Sequence, residues 1–186
     1  MTTEIKGYKA TMPDGRSWYN SRVAPYVAGE TYSYDGQLSL CECGLHFCRS
    51  LANVYVTYLD SYQTRVFEVT AYGQCLDNGV KCCANRLRID RELSPKEILK
   101  ALVECVPGSH GHGVLFDILW QTVHGVEDPV YQSYDVNYDS FMYARMKERK
   151  QLFVDAAMEL DAVDERMSAL LENVKAVVAK ELGERR

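Results

Sequence analysis

The sequence has no long apolar run. Nothing in it approaches the ~20 consecutive apolar residues of a membrane-spanning helix, so no membrane association is expected. It has no basic excess either. A net charge of −5 argues against a general nucleic-acid binder, which needs a basic surface to release counterions. Gly-x-Gly-x-x-Gly after a strand, a Walker sequence and Gly-x-Ser-x-Gly are all missing, which removes the commonest nucleotide and hydrolase signatures. The first residues, Met1-Thr-Thr-Glu-Ile-Lys, lack the charged and apolar regions of a signal peptide. The seven cysteines are odd in number and scattered. With no export signal, that pattern predicts reduced thiols in a cytoplasm rather than a disulfide framework.

What is present is an ordinary apolar fraction, 47%, enough to bury a core, and an excess of thirteen tyrosines, a residue favoured at interfaces. Lys6 to Thr11 alternates like a strand. Pro13-Asp-Gly15 reads as a turn. Gly29 to Tyr34 reads as a short strand, Asp35-Gly36 as a tight turn, and Leu38–Cys41 and Leu45–Cys48 as two further short strands. Ser50 can cap a helix over about 51–59, with Leu51, Val54, Tyr55 and Tyr58 on one face. Arg65 to Tyr72 is the clearest strand, and Lys81 to Ile89 the next. Ser94-Pro-Lys-Glu97 matches a capping box with proline at the first helical position, opening a helix over about 95–105. The expected fold class is α+β: a small mixed or antiparallel sheet with flanking helices over residues 1–125. An acidic, tyrosine-rich connector follows over 126–139, and then a long helix over 140–186.

That last helix contains no Gly or Pro between 140 and 182. Phe153, Ala156, Leu160, Val163, Met167, Leu170, Val174 and Val177 are spaced 3-4-3-4-3-4-3, an a/d seam over more than three heptads. Such a helix would run roughly 60 Å at ~1.5 Å per residue, longer than a small domain can cover. A partner helix is therefore expected, with a homodimer as the default. In the connector, Tyr131, Tyr134, Asp135 and Tyr138 are the candidate binding residues, because tyrosine supplies contact area at modest entropic cost.

Cys41-Glu-Cys-Gly-Leu-His-Phe-Cys48 is the most distinctive local text. Cys41, Cys43, His46 and Cys48 offer four zinc-type ligands, but they are crowded into eight residues without paired Cys-x-x-Cys knuckles. Buried free thiols are the expected state, with no metal and no other cofactor bound. Cys82-Cys83 are expected to point to opposite faces of a strand. His110-Gly-His112 sits in a glycine-rich loop and is read as a loop rather than a ligand pair.

Residues 5–95 resemble an uncharacterised domain family common in tailed-phage and prophage proteins. The matching text is Gly7-Tyr-Lys-Ala10, Gly29-Glu-Thr-Tyr32, Leu40-Cys41, Gly44-Leu-His-Phe-Cys48, Arg65-Val-Phe-Glu-Val69 and Ile89-Asp-Arg-Glu-Leu93. The resemblance implies a phage-encoded, non-catalytic protein acting in the bacterial host cytoplasm. It implies that the protein binds and modulates or inhibits a host protein, a counter-defence inhibitor such as an anti-CRISPR being one instance. A weaker similarity is to ADP-ribosyltransferase-like domains, through Gly44-Leu-His-Phe47, the helix after it and Glu68. It implies an enzyme using NAD through His46, Tyr55 and Glu68, although a Ser-Thr-Ser element is missing.

Overall fold

The computed structural model describes residues 4–18, 24–58 and 64–103, together with 148–149, 151–157 and the single positions 159, 169, 172 and 176. Five strands, all antiparallel, carry the fold: β1 (Ile5–Thr11), β2 (Thr31–Ser33), β3 (Leu45–Cys48), β4 (Arg65–Asp77) and β5 (Lys81–Glu92). Helices α1 (Leu51–Tyr58) and α2 (Pro95–Val103) accompany them among the described residues. Two compact units divide the chain: Met1–Asp60 with Thr64–Ser94, and Ser61–Gln63 with Pro95–Arg186. The α+β expectation holds for the described residues.

The strands run β2-β5-β3-β1-β4, and β4 also pairs with β5. The second pairing closes β1, β3, β5 and β4 into a small barrel, which among the described strands leaves β2 on an edge. Two long strands make closure possible. β4 and β5 form one hairpin whose arms bend at register shifts between Glu68 and Val69 and between Tyr72 and Cys75. The hairpin turn is built from acceptors: Asp77 Oδ1 takes the Gly79 N–H at 2.7 Å, and Asn78 Oδ1 takes the Lys81 N–H at 2.8 Å.

Alternation places Phe47, Phe67, Val69, Ala71, Cys82, Ala84, Leu87 and Ile89 on the inner face, where they form the core with Leu45 and Tyr26. β1 approaches β3 closely at Gly7. A Cβ there would run into the Cys48 carbonyl and the Phe47 ring, so only glycine fits. Helix α1 packs on β1 and β3. The Ser50 hydroxyl caps it as expected, accepting the Asn53 N–H at 3.2 Å, and Leu51, Val54, Tyr55 and Tyr58 are all buried.

Two expectations for the sheet are corrected. Leu38–Cys41 is not a strand: Ser39 and Cys43 form an isolated bridge, with N–H to carbonyl bonds of 3.0 Å in both directions, and Leu40, Cys41 and Glu42 are the turn between them. Nor does Asp35-Gly36 join two paired strands, because β2 pairs with β5, with Tyr32 opposite Leu87. The physical reason is shared. β2 and β3 both pair with β5, opposite Arg86–Arg88 and Lys81–Ala84, so the segment between them passes from one pairing site to the next instead of returning along β2.

In the second unit, Ile98, Leu99 and Leu102 of α2 are buried, and Lys96 is ion-paired with Glu159. Residues 151–157 are helical, as the heptad pattern predicts. Phe153 and Ala156, the first two seam positions, are already buried within a single copy. Leu160, Val163, Met167, Leu170, Val174 and Val177 lie outside the described residues, as do His110, His112, Tyr131, Tyr134, Asp135 and Tyr138. No helix among the described residues is long and apolar enough to cross a membrane.

Candidate functional site

Two clusters of polar side chains stand out on the barrel: the Cys41–Cys48 loop and the outer face around Glu68. The loop is built around a tight turn. Cys41 has φ +70°, a conformation that non-glycine residues seldom adopt. At Gly44 φ is +115°, and a Cβ would meet the Cys83 thiol and Leu38. His46, on β3 and opposite Cys83 of β5, holds the turn shut. Its Nε2 accepts the Cys41 N–H at 3.0 Å. Burial, with the cations of Lys9 and Lys81, pushes the His46 pKa below its usual value, so the ring is neutral near pH 7 and can accept. Ring hydrogen bonds with the Ser39 and Gly44 backbone act in the opposite direction. His46 thus serves as a clamp on the loop.

The four zinc-type side chains are not gathered. Nε2 of His46 is occupied by a backbone N–H, Cys48 is buried and close to Thr57 of α1, and Cys41 and Cys43 are exposed. Among the described residues no three His, Cys, Asp or Glu side chains are grouped to hold a metal ion. The expectation of buried thiols is corrected for Cys41 and Cys43, because the turn lifts them out of the sheet. Cys48, Cys82 and Cys83 are buried. The Cys82 and Cys83 side chains do take opposite faces: Cys82 joins the barrel core, while the Cys83 thiol reaches the Cys43 carbonyl at 2.9 Å.

The outer face is laced with ion pairs. Glu68 of β4 faces Tyr8 on one side and Arg91 on the other. Arg91 donates to both carboxylate oxygens, Nε to Oε2 at 2.8 Å and Nη2 to Oε1 at 2.9 Å, the bidentate fork that suits a carboxylate. Next to it, Lys6 donates to Thr70 Oγ1 at 2.7 Å, and Thr70 donates to Asp90 at 2.6 Å. Arg88 donates to the other oxygen of Asp90 at 2.6 Å. Partial burial pushes the Asp90 pKa up, but the bonds from Thr70 and Arg88 outweigh it and hold the carboxyl below its usual range. Lys6, Gly7, Tyr8, Arg49, Glu68, Val69 and Asp90 line a shallow groove of about 340 Å³ on this face.

His46, Tyr55 and Glu68 are not brought together around a cleft. β1 lies between β3 and β4, so His46 and Glu68 are two strands, about 10 Å, apart. Tyr55 is buried on α1. Sequence reasoning missed Lys9 altogether. Its side chain enters the barrel, only 2% exposed, with Nζ 2.9 Å from the His46 carbonyl and 4.3 Å from the centre of the Tyr26 ring. Burial lowers its pKa from 10.5 to about 8, while the Cys48 and Cys83 thiols act in the opposite sense. The signal was available: Lys9 is in phase with Ile5 and Gly7, and its partner on β4 is Phe67.

Residues 5–101 match the family described as Domain of unknown function (DUF7666), which spans just over half of the chain. The chain belongs to this family. The DUF7666 stretch takes in all five strands, α1 and most of α2, and with them the Cys41–Cys48 loop and the groove. No curated protein and no solved structure matches the chain.

Proposed function

We propose that this chain is a phage-encoded, non-catalytic binding protein that associates with a protein of the bacterial host cytoplasm and modulates or inhibits it. Counter-defence, in the manner of an anti-CRISPR, is one instance. The observation that carries the reading is the engagement of Glu68. Both of its oxygens are taken by Arg91, and the neighbouring Lys6, Thr70, Asp90 and Arg88 are interlocked in the same way. A carboxylate held in a bidentate fork is poorly placed to accept a proton or to stabilise a developing cation. As part of a fixed pattern of charge, it suits recognition of a complementary protein surface. Tyr131, Tyr134, Asp135 and Tyr138 extend the proposed contact surface. Leu160, Val163, Met167, Leu170, Val174 and Val177 are proposed to pair two copies, with Phe153 and Ala156 serving the packing of each copy.

The alternative, an ADP-ribosyltransferase-like enzyme, would need His46, Tyr55 and Glu68 around NAD. The deciding experiment uses the full chain as bait in a lysate of the bacterial host, beside an NAD-consumption assay. The native chain should retain a host protein, and Glu68→Lys, which sets two cations against each other at the groove, should release it with folding intact. Met167→Asp should split the native assembly into single copies in sedimentation. NAD consumption by the native chain that disappears in Glu68→Gln would replace the binder with the enzyme.

A further inference from the structure

The hairpin turn that joins β4 to β5 is not used by the binding reading, and it holds an electrophile, a nucleophile and a base in hydrogen-bond contact. Of the asparagines in the sequence, Asn78 is the one that glycine follows. Residues 77–80 are all exposed. A Cβ on Gly79 would meet nothing within 4 Å, so neither a side chain of its own nor a neighbour crowds that position. Asn53 of α1 donates to the Gly79 carbonyl at 3.2 Å and steadies the turn.

The Asn78 amide is the electrophile. Its Oδ1 accepts the Val80 N–H at 3.1 Å and the Lys81 N–H at 2.8 Å. Two backbone donors on one amide oxygen are the arrangement that stabilises an oxyanion when a nucleophile adds to the carbon. The bond from Val80 also closes a ring of linked atoms, in which Asn78 Cγ, Cβ, Cα and C and the Gly79 nitrogen are consecutive members. Those same atoms make up a succinimide, and a bond from the Gly79 nitrogen to Asn78 Cγ would complete it. The Gly79 N–H donates to Asp77 Oδ1 at 2.7 Å, so a carboxylate already holds the proton that the nitrogen must lose. The other oxygen of Asp77 faces Arg49 from 3.4 Å. The remaining ionisable neighbours of Asp77 are the Cys75 and Cys82 thiols, which burial keeps protonated. Asn85 is the contrast. Its Oδ1 also accepts a backbone N–H, that of Gln74 at 3.1 Å, but the residue after it is Arg86, held between β2 and β4.

We propose that Asn78–Gly79 is a self-modification site that loses ammonia through a succinimide. The Gly79 nitrogen is the nucleophile, the Val80 and Lys81 N–H groups hold the developing oxyanion, and Asp77 is the base. In the step, the bond from the Gly79 nitrogen to Asn78 Cγ forms and the Gly79 proton passes to the Asp77 carboxylate. The bond from Cγ to Nδ2 then breaks, and Nδ2 takes up that proton and leaves as ammonia. Water, the one co-reactant, opens the ring at either carbonyl and gives aspartate or isoaspartate. Either product sets a second carboxylate beside Asp77, and isoaspartate also lengthens the backbone where Asp77 pairs with Cys82. The modification therefore loosens the far end of the hairpin as the protein ages.

The test incubates the full native chain at neutral pH, beside the same chain unfolded in urea at the same pH. Aspartate and isoaspartate are mapped at every asparagine by peptide mass and separation. In the native chain Asn78 should convert first, and about tenfold faster than in the unfolded chain, where the base and the two donors are no longer held in place. Asp77→Asn keeps an acceptor for the Gly79 N–H but not the charge, and should bring Asn78 down to about the unfolded rate. The comparison of native with unfolded chain stands whether or not that variant folds. A native chain that converts Asn78 no faster than its unfolded form overturns the proposal. So does a folded Asp77→Asn that converts Asn78 as fast as the native chain.

Discussion

Lys6 and Lys9 stand three residues apart on β1 and face opposite sides of one sheet. Lys6 leaves 68% of its side chain in water and shares Thr70 and Asp90 with the rest of the outer face. Lys9 is inside the barrel, with one carbonyl and one aromatic ring for company. Two copies of the same side chain thus carry opposite energetic signs. Outside, the charge costs little to keep and its ion pair contributes little. Inside, the charge is desolvated, so the folded state holds the proton less tightly than the unfolded chain does, while at pH 7 Lys9 is still a cation. Lys9 does gain a polar tie across the narrow join between β1 and β3, where Tyr8 faces Cys48. The barrel wall therefore separates a chemistry of packing from a chemistry of charge.

The comparison breaks most visibly if the interior is emptied. Phe47 is fully buried, packs in the core and flanks Gly7. Phe47→Ala should cost about 3–5 kcal/mol in denaturant unfolding, the transfer of a phenyl group plus the cavity left behind. A loss under about 1 kcal/mol would mean that the barrel is not the core of the molecule.

Lys9→Met comes next. The folded pKa, about 8, lies below the free value of 10.5, so between those two pH values the unfolded chain holds more protons than the folded one. Stability must therefore rise with pH across that window, and the penalty is fully present below pH 8. Across the window the native chain should gain on the order of 3 kcal/mol relative to Lys9→Met, at 1.36 kcal/mol per pKa unit. Near pH 7 the variant should be the more stable, by less than that amount, since it also forfeits the bond to the His46 carbonyl and the contact with the Tyr26 ring, each worth about 1 kcal/mol. Parallel stability curves for the two proteins, measured by denaturant unfolding from pH 7 to 10.5, would show that Lys9 is not buried as a cation.

Most of the local structure was legible in the sequence because local forces set it. Alternation marks β1 and β4, the Ser50 hydroxyl starts α1, and Pro95 opens α2. Closure was not legible. The pairing of β2 with β5 joins residues more than fifty positions apart, and the bulge between Glu68 and Val69 that bends β4 carries no local mark in the sequence. The Cys41–Cys48 text was recognised as distinctive, but its cysteines were read as strand residues. The left-handed position of the turn is Cys41 rather than a glycine, and the His46 ring that holds it lies five residues on. Glu68 lies on the Arg65 to Tyr72 strand that alternation marks, yet the Arg91 fork that occupies it comes from a residue more than twenty positions away.

The finest test of the comparison is the matched substitution outside. Lys6→Met removes the same ammonium from the same strand and leaves the Asp90 carboxylate with Thr70 and Arg88. Because Lys6 is mostly exposed and 3.6 Å from Asp90, its pair is screened, and the change should stay within about 0.5 kcal/mol of native stability. The sign should be a slight loss at low salt that shrinks as salt is added and charges separated by water are screened. Its stability should run parallel to that of the native chain between pH 8 and 10, unlike that of Lys9→Met. If Lys6→Met instead reproduced the alkaline behaviour of Lys9→Met, the two faces of β1 would share one environment, and a closed barrel could not have produced it.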